Sequence, residues 1–147
     1  MNFVPNDGGR AAAGFKGNAG DCVVRAVTIA TGQPYSTVYS ALSDGARAQR
    51  QSRRSKRKDS ARDGVNVRRK WFKDYMTALG WRWTPTMQIG QGCKVHLRAD
   101  ELPPGRIIVA LSRHYAAVID GVVHDTYDGI RVAVRTVPEG VRVWRVS

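Results

Sequence analysis

Cysteine is scarce in this chain: of 147 residues only two are cysteine, Cys22 and Cys93. Two thiols cannot supply the disulfide framework that small secreted domains depend on. None is needed, because a domain of this length buries roughly two-thirds of its unfolded surface. Long apolar runs are missing as well, and nothing approaches the roughly 20 residues that span a bilayer. The opening stretch, MNFVPNDGGRAAAGFKGN, has no apolar segment of the kind that heads a secretory signal. These absences predict a reduced, soluble, cytoplasmic protein with no membrane partner. Histidine is equally sparse, and Cys22, Cys93, His96, His114 and His124 contain no pair at the tight spacing of a zinc knuckle. Neither a metal nor another cofactor is expected.

Acidic residues are also in short supply, 12 against 24 Lys and Arg, for a formal net charge of +12. The imbalance is local. Residues 46–73, ARAQRQSRRSKRKDSARDGVNVRRKWFK, hold 12 of the basic residues and 2 acids, a net +10. The rest of the chain is nearly neutral, so the basicity belongs to one region. A single domain over 1–147 is expected, with a basic, mobile insertion at about 46–63. Arg50, Arg53, Arg54, Lys56, Arg57 and Lys58 are its densest part. Such a stretch is either a solvated loop or an arm for nucleic acid or an acidic protein. Nucleic acid bound through residues 47–73 would release counterions, and its affinity would fall steeply with salt. Few aromatics are interleaved, so base stacking is not indicated.

Periodicity divides the chain in two. Val23, Val24, Val27 and Ile29 or Ala30 recur at helical spacing, with Asp21 as N-cap and Gly32 as stop. A second helix is predicted from Pro34 to Gly45, with Tyr35, Val38, Tyr39 and Leu42 on its apolar face. A third lies within VNVRRKWFKDYMTALGW, where Val67, Trp71, Tyr75, Met76 and Leu79 share a face and Gly80 ends the run. From there the chain reads as strands: WRWTPT, IIVALS, YAAVID, VVHDTY, IRVAVRTV and VRVWRV. Helices first and strands second predict an α+β fold, N-terminal helices packed on a C-terminal antiparallel β-sheet.

Two features carry chemistry. In GNAGDCVVRAVTIATG, Cys22 occupies the first turn of a helix, whose N-terminus favours a thiolate. Far along the chain, Asp120-Gly121 joins two apolar runs and signals a two-residue hairpin. If these two are the turn, paired residue numbers sum to 241. His114 and Asp125 then point to one face as diagonal neighbours, roughly 7 Å apart at Cβ. His124 and Asp128 point to the other. An imidazole beside a thiol lowers the thiol's pKa and relays protons, and an acid behind it fixes its tautomer. On residues alone, Cys22 is also readable as core packing, His114 as a surface histidine and Asp125 as a strand terminator. Cys93, in GQGCKVHL, reads as structural.

The order of a Cys opening the first core helix, a His at a strand start and an Asp on the next strand resembles papain-like cysteine peptidases. The spacing is similar to compact bacterial forms such as the leader-cleaving domains of bacteriocin exporters. DCVVRAVTIATGQPYSTVY, LGWRW and LPPGRIIVALSRHYAAVIDGVVHDT also resemble a group of small phage and plasmid proteins. The likeness covers most of 17–128 and omits the basic stretch 46–63. It implies a papain-like fold and a thiol hydrolase, a cysteine peptidase or isopeptidase acting on a protein or peptide. It further implies Cys22 as nucleophile, His114 as base and Asp125 as orienting acid, in the cytoplasm of a bacterial host if phage or plasmid encoded. The sequence departs from the family at one point. A Gln usually precedes the Cys, whereas here the nearest upstream amide is Asn18, which would share the oxyanion with the Cys22 N–H. One lost donor costs about 100-fold or more in rate. The alternative is an inactive papain-like scaffold of a phage or mobile element, binding nucleic acid or a host protein through its basic arm.

Overall fold

A computed structural model describes residues 2–15, 20–48, 61, 64–84, 87–88, 92–93, 102, 104–111, 114–126 and 142–146. Within them the elements run β1 (Asn2–Pro5), α1 (Cys22–Thr31), α2 (Tyr35–Ala48), α3 (Lys70–Ala78), β2 (Trp81–Thr84), β3 (Met87–Gln88), β4 (Gly92–Cys93), β5 (Arg106–Leu111), β6 (His114–Ile119), β7 (Val122–Asp125) and β8 (Arg142–Val146). The fold is α+β. Six strands form one sheet in the order β1-β7-β6-β5-β8-β2, and β3 and β4 form a separate pair in which Met87 faces Cys93. The predicted strand IRVAVRTV, Tyr127 at the end of the predicted strand VVHDTY, and Asp128 lie outside the described residues.

The sheet is mixed, which corrects the expectation of a wholly antiparallel one. Four of its five ladders are antiparallel, but β1 runs parallel to β7, from Asn2 opposite Val122 to Pro5 opposite Asp125. The N-terminal segment, whose Gly, Ala and Asn content reads as extended or loose chain, thus begins with an edge strand. NFVP has no alternating pattern, and its partner is more than a hundred residues away, so nothing local announces it. Pro5, lacking an N–H for a ladder, is tolerated because the strand is at an edge.

Helix α1 is the hub. Val23, Val24, Ala26, Val27, Thr28, Ile29 and Ala30 are all buried. A helix apolar nearly all round must be covered on every side, and α1 packs on β5, β6 and β7 and against α2. Gly32 ends it at φ 75°, with its N–H donating to the Thr28 carbonyl across 2.9 Å. The core beneath joins Val38 and Leu42 of α2, Phe72 and Met76 of α3, and Ile108, Tyr115, Ala117 and Trp144 of the sheet. Phe72, absent from the apolar face read from periodicity, is fully buried, while Trp71, Tyr75 and Leu79 are partly exposed flanks.

Gly45 does not end α2, which continues to Ala48 and so takes in the first residues of the predicted insertion. A Cβ at Gly45 would meet Cε3 and Cζ3 of Trp71 at 2.3 Å. The glycine is there so that α2 can approach the Trp71 ring, not to break the helix. Ala61 is fully buried, and its N–H donates to Ser43 Oγ across 2.9 Å. The chain is therefore anchored to α2 again on the far side of the basic run. Arg50, Arg53, Arg54, Lys56, Arg57 and Lys58 lie outside the described residues. Among the described residues no helix is long and apolar enough to cross a membrane.

Candidate functional site

The hairpin has the register that its turn dictates. Ile119 pairs with Val122, Val118 with Val123 and Ala117 with His124. Asp120 and Gly121 both have positive φ, 49° and 80°, as a type I′ turn requires. Asp120 also fastens the neighbouring loop, its Oδ1 accepting the Gly105 N–H across 2.8 Å. Tyr115 and Ala117 enter the core under α1. His114, one position off that alternation at the start of β6, is left outside it, with a quarter of its side chain exposed.

His114 and Asp125 meet as the register demands: His114 Nε2 lies 2.5 Å from Asp125 Oδ2. Asp125 is 2% exposed, and its Oδ1 accepts the Thr126 N–H across 2.7 Å. Burial alone would push the Asp125 carboxyl up. The hydrogen bond and charge of His114, the Thr126 N–H and the Arg25 charge outweigh it and hold Asp125 below the usual carboxylate range. An ionised carboxylate only accepts, so Nε2 carries the proton and Nδ1 is left for the third partner.

That partner is Cys22. Its thiol lies close enough to the His114 ring and to the Tyr115 N–H for both to favour the thiolate. The β6–β7 ladder stops at Ala117, and the first residues of β6 are where the start of α1 comes in. Burial pushes the Cys22 thiol up. The His114 hydrogen bond, the Tyr115 N–H and the charges of His114 and Arg25 overcome that and bring it below the ordinary thiol value. His114 moves the opposite way. Burial disfavours the imidazolium, but Asp125 and Cys22 on its two sides hold it charged, and its pKa is pushed up to about 9. A lowered thiol beside a raised imidazole is the signature of a thiolate–imidazolium pair, in which the two groups titrate as a unit.

Asp21 does not do what its position suggests. Its carbonyl accepts the Arg25 N–H at the start of α1, but its side chain caps nothing. The carboxylate turns inward, 1% exposed, to accept from Arg25 Nη1 and from the Tyr35 hydroxyl, with Arg10 Nε at 3.3 Å. A buried carboxylate needs such company. Arg25 extends its other nitrogen, Nη2, to Asp125 Oδ1 at 3.5 Å. Arg10 and Arg25 have no role in the sequence reading, and Tyr35 has one only as an apolar-face residue of the second helix. The signal was available for Arg25: it is the one cation in the apolar run VVRAVTIA, four residues after an acid, and a charge on a buried helix must have a partner.

On the opposite face of β7, His124 Nδ1 lies 3.4 Å from Asn6 Nδ2. The structure thus brings Cys22, His114 and Asp125 together and keeps His124 apart from them. Asn18, the predicted oxyanion donor, lies outside the described residues. No family model matches the chain, and no curated protein or solved structure does, so the chemistry of the site rests on its own geometry.

Proposed function

We propose that the protein is a papain-like thiol hydrolase, a cysteine peptidase or isopeptidase acting on a protein or peptide. The observation that carries this reading is His114 Nε2 held 2.5 Å from buried Asp125, with Cys22, at the N-terminus of the central helix, near enough for the imidazole to favour its thiolate. In this mechanism the Cys22 thiolate attacks the carbonyl carbon of an amide or thioester, forming a C–S bond. The carbonyl oxygen takes up negative charge against the Cys22 N–H, with Asn18 the second donor that the papain-like resemblance implies. His114 gives its proton to the leaving nitrogen or sulfur as that bond breaks. The acyl-enzyme is resolved by water, which His114 deprotonates, and the Cys22 thiolate departs. Asp125 keeps the ring in register and its charge compensated throughout.

Alkylation by iodoacetamide, followed by mass spectrometry, tests the activated thiol. At pH 6 an ordinary cysteine is almost wholly protonated, so Cys22 should react well ahead of free cysteine, and His114→Ala should remove the advantage. Reaction no faster than free cysteine would overturn the reading.

A second reading, a non-catalytic scaffold that binds nucleic acid, is favoured by the +10 concentrated in residues 46–73. It predicts that Cys22→Ala leaves function intact. It also predicts that neutralising Arg53, Arg54, Lys56, Arg57 and Lys58 abolishes function. DNA or RNA affinity that does not fall between low and moderate salt would count against it.

A further inference from the structure

Arg25 hydrogen-bonds to Asp21 and Asp125 rather than to the His114 ring, and its guanidinium lies between the two halves of the site. One nitrogen holds Asp21, the residue immediately before Cys22, and the other reaches Asp125, the residue behind His114. It comes from the first turns of α1 and is only 11% exposed. The planar fork of arginine suits this bridge, whereas a lysine would bring the charge without the second arm.

Resting on the thiol-hydrolase reading, we infer that Arg25 is a positioning residue that ties the start of α1 to Asp125 and sets the pH window of the Cys22–His114 pair. Among the described residues the charged and titratable groups around it are few. Arg10 approaches from the N-terminal segment, Asp21 and Cys22 from α1, Tyr35 from α2, His114 from β6 and Asp125 from β7. His124 faces away, beside Asn6. The Arg25 charge is felt at Cys22, and its Nη2, 3.5 Å from Asp125 Oδ1, brings that charge to the carboxylate that holds His114. A nearby cation favours the thiolate and disfavours the imidazolium, so it lowers the titration of both. Asp21, one residue from Cys22, acts in the opposite sense and is held in check by Arg10, Arg25 and Tyr35.

The test follows Cys22 by the pH dependence of iodoacetamide alkylation, and His114 by NMR of its ring protons, in the full chain. Arg25→Met should move both midpoints up and slow alkylation on the acid limb roughly threefold. Arg25→Lys, keeping the charge, should return both midpoints towards their native positions. A merely structural loss would look different. Letting water into the site would carry Cys22 up towards an ordinary thiol and His114 down towards an ordinary imidazole, so the midpoints would move in opposite directions. Asp21→Asn, which keeps the shape and leaves Arg25 in place, should move both down, and it decides the matter if Arg25→Met does not fold. Unmoved midpoints, or midpoints moving oppositely, overturn the inference while leaving the hydrolase reading intact. A native Cys22 that titrates as an ordinary thiol overturns the reading itself.

Discussion

Asp125→Asn removes one negative charge and almost no volume. The amide still fits the space, its oxygen can still accept the Thr126 N–H, and Arg25 keeps Asp21. What disappears is the carboxylate 2.5 Å from His114 Nε2, first among the influences that raise the His114 pKa from 6.5 to about 9. At pH 8 an imidazole of pKa 9 is about 90% charged, and one of pKa 6.5 is about 3% charged, a ratio of about thirty. Cys22 also holds His114 up, so about thirtyfold is the ceiling, and a loss of several-fold or more in the thiolate–imidazolium form is expected at pH 8. The burial that raises the thiol would then be less opposed, and Cys22 should ionise at higher pH than in the native protein. Alkylation rates from pH 5 to 10 read this directly. The native protein should become reactive at lower pH than an ordinary thiol, whereas Asp125→Asn should become reactive only at more alkaline pH. Superimposable profiles would refute the reasoning, because they would mean that the Asp125 charge is not felt at the ring.

The same pair makes stability depend on pH. The folded pKa of His114 lies above its unfolded value of 6.5, so its contribution is complete below pH 6.5 and is lost as pH rises through about 9. The gap in melting temperature between native protein and His114→Gln should therefore shrink over that interval, and a gap that widens would contradict it. Gly45→Ala places a methyl group 2.3 Å from the Trp71 ring. Overpacking of this kind costs about 1–3 kcal/mol, against the roughly 1 kcal/mol that alanine gains over glycine in a helix. Thermal unfolding should show a lower Tm for Gly45→Ala, and an unchanged or higher one would show that Trp71 moves aside freely.

Local signals were read correctly where the structure is local. The Asp120-Gly121 turn fixed the β6–β7 register because a two-residue turn leaves no freedom in the pairing that follows it. Gly32 marked the end of α1 because a left-handed residue is needed there. Gly45 carried the same letter and meant something else, since its role depends on Trp71, a residue on another helix. Strand β1 escaped for a related reason. Its pairing with β7 is parallel and closes across most of the chain, and four residues with no alternation cannot advertise a distant partner.

The candidate site shows the same division. Cys22, His114 and Asp125 were legible because each is placed by a short-range device, a helix start or a hairpin register, and because the chemistry they suggest needs all three. The groups that partner Asp125 and Asp21 in the interior were not, because the capping preference of Asp21 is by itself a sufficient local explanation of an acid before a helix. The structure turns that carboxylate away from the helix end. In doing so it gives Arg25 a counter-charge on one side of the site and leaves it free to reach Asp125 on the other. A buried arginine in an otherwise apolar helix is expensive unless such partners exist. Its presence in VVRAVTIA is thus better explained by what it joins than by the packing of α1, which alanine or leucine would serve at less cost.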